Sequence, residues 1–106
     1  MFNLGKMFRK ETTDNGALLS ARARVIDVRT TEEFKSGHVD RSINIPLDAL
    51  TSRIAEIKSW NKPVITVCRS GARSAAGADM LKKAGIEAHN GGGWTDFVKS
   101  VPKAGK

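Results

Sequence analysis

Along the chain, short all-apolar runs alternate with longer stretches whose apolar residues recur every three or four positions. Val25-Ile26-Asp27-Val28 is β-branched and apolar, the pattern of a buried strand. Thr30 follows, with Glu33 in the place that completes a capping box, so a short helix is predicted to start there and to end at Gly37. Ile43-Asn44-Ile45 reads as a second strand stopped by Pro46. Leu50, Ile54 and Ile57 then fall on one helical face, which predicts a helix over Leu47–Lys58. After the Asn61-Lys62-Pro63 loop, Val64–Val67 is a fully apolar third strand. Ser74–Ala84 is rich in good helix formers and is capped by Gly85. Gly77 inside that helix costs about 1 kcal/mol relative to alanine, which close approach of a neighbouring element would explain. Ile86–His89 predicts a further strand, and Trp94, Phe97, Val98 and Val101 line one face of a last helix ended by Pro102.

Strands that alternate with helices build βαβ units. The predicted architecture is therefore α/β, with a mainly parallel central sheet covered by helices on both faces in three layers. Ligand sites in such open sheets form beyond the carboxyl ends of the strands. Cys68 stands at the carboxyl end of the third strand, and it is the only cysteine among the 106 residues.

Length bounds the chain to one domain with one core. The division expected is an N-terminal extension over 1–24, partly flexible; the domain itself over 25–101; and a basic tail over 102–106. The formal charge is +7, but its location matters. Residues 1–24 hold five Lys/Arg against Glu11 and Asp14, and 99–106 hold three lysines and no acid. The stretch between has ten basic and nine acidic residues. The excess thus sits at the ends, where it reads as solubilising charge. With no tyrosine and no interleaving of aromatic with basic positions, a nucleic-acid partner is not expected. No apolar run reaches the length of a membrane span, and Gly5 and Lys6 interrupt the only apolar residues near the start. A lone cysteine makes no internal disulfide, so a cytoplasmic, monomeric protein is expected.

The chemistry centres on ITVCRSGARS (65–74). No proline interrupts Arg69, Ser70, Gly71, Ala72, Arg73 and Ser74, so each has an amide to offer. If the loop curls over Cys68, those amides form an anion nest, and the helix beginning near Ala72 points its positive end at the same place. Gly71 suits a residue of positive φ. Arg69 and Arg73 add two permanent charges. Each effect favours thiolate over thiol, and the thiolate is the nucleophile. A packing cysteine would instead be expected among apolar neighbours.

The loop, together with VIDVRTTEEFKSGH (25–38), VDRSINIP (39–46) and NGGGW (90–94), resembles the single-domain rhodanese family over most of the chain from Val25 onward. The resemblance implies the rhodanese-like fold and a sulfurtransferase. Cys68 would take a sulfane sulfur from a donor such as thiosulfate, hold it as a persulfide and pass it to a thiol, a cyanide-like nucleophile or a protein acceptor. Arg69, Ser70, Gly71, Ala72 and Arg73 would form the substrate-binding loop, with no cofactor and no metal. Two departures stand out. Arg41-Ser42 replaces the Gly-Ala usual in the family, and Trp94 directly follows Gly93 where relatives have a gap.

Two rival functions remain. Cysteine phosphatases and arsenate reductase-like enzymes use a related plan with five residues between cysteine and arginine; here Cys68 and Arg73 enclose four, a ring suited to one sulfur. A persulfide carrier or regulatory module for a protein partner is the other, since fold alone does not fix function. Asp27 and Arg29 read as an ion pair framing the loop, and His38 as a cap on helix carbonyls. His89 is isolated, and two histidines with one cysteine offer no metal-ligand spacing. Trp94, Phe97 and Val98 read as core, and Gly91–Gly93 as a loop passing near the site.

Overall fold

Alternation of apolar runs and amphipathic stretches folds as expected into helices on two faces of a parallel sheet. The computed structural model of the protein describes residues 15–20 and 22–101, so most of the expected extension and the basic tail lie outside the described residues. Strand β1 (Arg24–Asp27) is central, with β2 (Ile43–Asn44) on one side and β3 (Val64–Cys68) on the other; β4 (Ala88–Gly93) lies beyond β3. All pairings are parallel. Helix α1 (Asn15–Ser20) precedes β1, α2 (Thr31–Lys35) follows it, and α3 (Leu47–Leu50) and α4 (Ile54–Trp60) follow β2. Helix α5 (Ala72–Lys83) joins β3 to β4, and α6 (Trp94–Ser100) closes the described chain.

Because side chains alternate across a strand, β1 and β3 feed two cores. Ile26, Val64 and Cys68 join Leu50, Ile57, Ala78 and Leu81 beneath α3, α4 and α5. Val25, Ile65 and Val67 join Phe97 on the opposite face, where Leu18 and Leu19 of α1 also pack. Phe97 is buried and Trp94 packs against it, as their helical spacing implied, but Val98, expected beside them in the core, is 46% exposed because it lies on the solvent side of α6.

The expected helix over Leu47–Lys58 is broken. A 3₁₀ turn over Thr51–Arg53 separates α3 from α4, and Arg53 leaves helical geometry with φ −108° and ψ 6°. Thr51 and Ser52 are poor helix formers, and the Ser52 hydroxyl donates to the Ala49 carbonyl at 2.9 Å, which competes with the backbone ladder. Leu50 and Ile57 still reach the core, so the apolar stripe survives the break.

The second difference concerns β4. The sequence suggested a strand over Ile86–His89 followed by a glycine loop; instead the glycines belong to the strand, which runs to Gly93. Glycine is a poor strand former, and close approach explains its presence. A Cβ on Gly91 would lie 2.7 Å from Ile65 Cγ2, and one on Gly93 would lie 2.7 Å from the Arg69 carbonyl oxygen. The register slips between Thr66 and Val67, so that Gly92 pairs with Val67 and Gly93 with Cys68. β4 is thereby pressed against the cysteine loop.

Gly77 does lie close to its neighbours, but a methyl group would just fit: an added Cβ would meet Leu50 and Val28 at 3.4 Å and Leu47 at 3.6 Å. Gly77→Ala is therefore expected to stabilise the protein by about 0.5–1 kcal/mol through helix propensity. A urea midpoint lower than wild type would contradict this. Arg41 takes a left-handed conformation with φ 69°. That conformation favours glycine, which accounts for the glycine usual at this position in the family the sequence resembles.

Candidate active site

Strand β3 ends at Cys68, and the chain must turn at once to start α5. Gly71 makes the turn with φ 112° and serves as N-cap of α5 without a side chain to cap it. The sulfur fills that role. The Gly71 amide donates to Sγ at 3.0 Å and the Ser74 amide at 3.2 Å. Amides that would otherwise lack partners at a helix start thus converge on one atom. The Cys68 thiol in turn donates to the Ser74 hydroxyl at 3.3 Å. Cys68 is only 1% exposed, so the sulfur lies below the loop and not on the surface. Its burial does not make it an inert packing residue, because the loop nitrogens point at it.

Two opposing effects act on the thiol. Burial pushes its pKa up, while the hydrogen bond shared with the Ser74 side chain and those from the Ser74, Gly71 and Ser70 amides pull it down. The hydrogen bonds win, and the thiol is more acidic than an ordinary one. The field comes chiefly from peptide dipoles and a hydroxyl.

The two arginines behave differently from each other. Arg69 is exposed and forms no ion pair among the described residues. Arg73 is paired with Glu33 on α2: Nη1 donates to Oε1 at 2.8 Å and Nη2 to Oε2 at 3.0 Å. The same Glu33 completes the capping box of α2, accepting from the Thr30 amide at 2.9 Å. Arg73, foremost, and the Thr30 amide hold the Glu33 carboxyl at about 2, well below the usual range. A carboxyl depressed in the folded state stabilises above its unfolded pKa and loses that contribution as pH falls through the folded one. Glu33→Gln should therefore be less stable than wild type near neutrality, by under about 1 kcal/mol for so exposed a pair. The gap should close between pH 4.5 and about 2. Urea titrations across that interval check it, and a constant gap would be the contrary result.

Behind the loop lies the ion pair expected at the end of β1. Asp27 and Arg29 are buried and joined in parallel, with Nη2 to Oδ2 at 2.7 Å and Nε to Oδ1 at 2.9 Å. Arg29 also donates to the Gly37 carbonyl at 2.7 Å and lies over the Trp94 ring, 4.9 Å from its centroid. These groups frame the site and do not touch the sulfur. His38 is the expected cap, with Nδ1 2.7 Å from the Phe34 carbonyl. His89 lies 3.0 Å from Glu87 and is apart from the cysteine. Among the described residues no cluster of His, Cys, Asp and Glu could hold a metal ion.

Three side-chain partners of the loop escaped sequence reasoning, which anticipated only the amide of Ser74. Ser74 supplies both an amide and a hydroxyl, and its hydroxyl donates to Asn90 Oδ1 at 2.6 Å. Asn90 also accepts from the Gly92 amide at 2.9 Å, which ties the bulged end of β4 to α5. Glu33 is the third. Ser74 could have been found, because a hydroxyl residue at the first turn of a helix is a local signal. A separate cleft of about 360 Å³ lies at the opposite, amino-terminal end of β3 and β4, lined by residues such as Lys58, Lys62, Gly85 and Glu87. It has no connection with the thiol chemistry.

A buried, amide-cradled cysteine at a strand end agrees with what comparison shows: a family model of the rhodanese-like domain matches residues 9–100. The chain belongs to that family. Among relatives of this rhodanese-like chain, thiosulfate sulfurtransferase PspE of Escherichia coli is 35% identical over 80 residues, 74% of this chain and 75% of that protein. The uncharacterized protein YqhL of Bacillus subtilis is 42% identical over 64 residues, and the match spans half of that longer protein. A solved structure described as a rhodanese with anions from E. coli is 34% identical, with a TM-score of 0.65 over 70% of this chain and 89% of that one. The chain thus has a rhodanese fold, and its relatives include sulfurtransferases. No helix among the described residues is long and apolar enough to cross a membrane.

Proposed function

We propose that the protein is a sulfurtransferase that moves a sulfane sulfur through a persulfide on Cys68, with Arg69–Arg73 as the donor-binding loop. The Cys68 thiolate attacks the outer sulfur of a donor such as thiosulfate. The new S–S bond forms as the old one breaks, and sulfite leaves with the bonding electron pair. The terminal sulfur of the persulfide is itself an anion, so the same amides serve both forms. A thiol, cyanide or a protein thiolate then attacks that sulfur and regenerates the Cys68 thiolate. No metal or activated water is needed for either step. A reducing compartment such as the cytoplasm suits a protein whose chemistry needs this cysteine unoxidised.

The observation that carries the reading is the pair of amides, from Gly71 and Ser74, aimed at Sγ. It also weighs against phosphoryl transfer. A phosphate cradle needs its arginine to grip oxyanions, and Arg73 is held by Glu33 at the side of the loop. The test is intact-mass spectrometry of the protein treated with thiosulfate. One added sulfur atom is expected, removed again by cyanide with release of thiocyanate. An unchanged mass, or turnover of an aryl phosphate exceeding sulfur transfer, would overturn the assignment.

A further inference from the structure

The chain as a whole is strongly basic, yet the mouth of the cysteine loop is not. Arg73 is neutralised by a two-pronged bond to Glu33. Asp27 and Arg29 neutralise each other. Asp96, in the first turn of α6, places Oδ2 3.7 Å from where a Cβ on Gly93 would stand, and Gly93 abuts the Arg69 carbonyl. Asp96 has no ion-pair partner among the described residues, so it leaves an uncompensated carboxylate close to the Arg69 backbone, beside the loop's one unpaired guanidinium-bearing residue. The loop that supplies two arginines in sequence thus offers an incoming anion about one positive charge, set against a nearby carboxylate and the thiolate itself.

We infer that Glu33 is a specificity-determining residue: by holding Arg73 it tunes the site toward sulfur donors of low negative charge and away from dianions. The inference rests on the sulfurtransferase reading for the word donor, but its charge selectivity can be read without sulfur transfer. The pair joins two elements that face each other across the loop, α2 and α5, and it has a geometry that a flexible surface contact lacks. Glu33 does not touch the sulfur. It acts by cancelling a charge that would otherwise stand beside it, and that effect reaches over a Debye length of about 10 Å in dilute salt.

Two probe pairs of matched shape test this. Thiosulfate is a dianion, whereas methanethiosulfonate carries a methyl group in place of one charged oxygen and is a monoanion; both give up the same sulfane sulfur. Iodoacetate is charged and iodoacetamide neutral, and both alkylate the same thiolate, so their rate ratio cancels any change in thiol pKa. Glu33→Gln keeps an oxygen for the Thr30 amide while releasing Arg73. It should raise kcat/KM for thiosulfate relative to methanethiosulfonate by about two- to threefold at low ionic strength. The iodoacetate-to-iodoacetamide ratio should rise similarly, and both effects should fade in about 1 M salt. Arg73→Gln should lower both ratios by leaving Glu33 unpaired. The Glu33→Gln/Arg73→Gln double variant should return them close to wild type. Ratios that stay unchanged or fall in Glu33→Gln would overturn the inference, as would a double variant no closer to wild type than either single one. Should sulfur transfer itself be absent while the alkylation ratio shifts as described, the functional reading fails and the charge-tuning role of Glu33 stands.

Discussion

Cys68→Ser is expected to abolish sulfur loading altogether while leaving the fold in place. The two residues have nearly the same shape, and the amides of Gly71 and Ser74 that now reach Sγ can donate to a hydroxyl oxygen instead. What is lost is chemistry. A serine hydroxyl is not appreciably ionised near neutral pH, and an oxygen at this position cannot form the S–S bond in which the donor's sulfur is carried. The thiol it replaces is already more acidic than usual despite its burial. Thiosulfate should therefore add one sulfur to the wild type and none to the variant, and thiocyanate production should fall to the uncatalysed background. Unfolding free energies of the two proteins from urea titration should agree within about 1 kcal/mol, since only one buried atom changes. Residual sulfur transfer by Cys68→Ser would mean that the sulfur is carried elsewhere. With no second cysteine in the chain, that would remove the persulfide from the mechanism.

How much of this was legible beforehand depends on how local each signal is. The strand–turn–helix around Cys68 was readable because an apolar run, a glycine and a helix-forming stretch follow one another within a few residues. The amides that converge on the sulfur belong to that same stretch. The Asp27–Arg29 pair and the His38 cap were likewise readable, being formed by neighbours in sequence. Arg73 marks where local reading stops. Its residue type argued for a charge at the site, but its partner Glu33 lies 40 residues earlier on another helix. Glu33 carried a signal of its own, the capping box, which gave no hint of its second bond. The Gly91–Gly93 stretch failed differently. Intrinsic preference argues against a strand there, and only the closeness of Ile65 and the Arg69 carbonyl requires glycine in one. Tertiary contact overrode propensity at that edge, and in doing so it put Asn90 within reach of Ser74.

Asp27→Ala should be the most destabilising single change at the site's frame, by about 3–5 kcal/mol. Asp27 is fully buried and Arg29 is 4% exposed. The carboxylate accepts from the Arg29 amide at 3.0 Å, from Nε at 2.9 and 3.0 Å, and from Nη2 at 2.7 Å. Truncation to alanine leaves the guanidinium charged, buried and without its counter-ion, because an arginine does not lose its proton to escape. Bonds to the Gly37 and Glu33 carbonyls and the Trp94 face remain, but none of them carries a negative charge. Domains of this size are stable by about 5–15 kcal/mol, so the loss is a large share of the whole. Replacing both partners together, as Asp27→Leu with Arg29→Met, should be much milder than Asp27→Ala alone, since it removes the stranded charge along with its partner. Urea denaturation of the three variants decides the matter. If Asp27→Ala were to lose less than about 1 kcal/mol, the pair would behave like an exposed one. The frame behind the cysteine loop would then have to be held by packing of Trp94 against Gly37 instead of by charge.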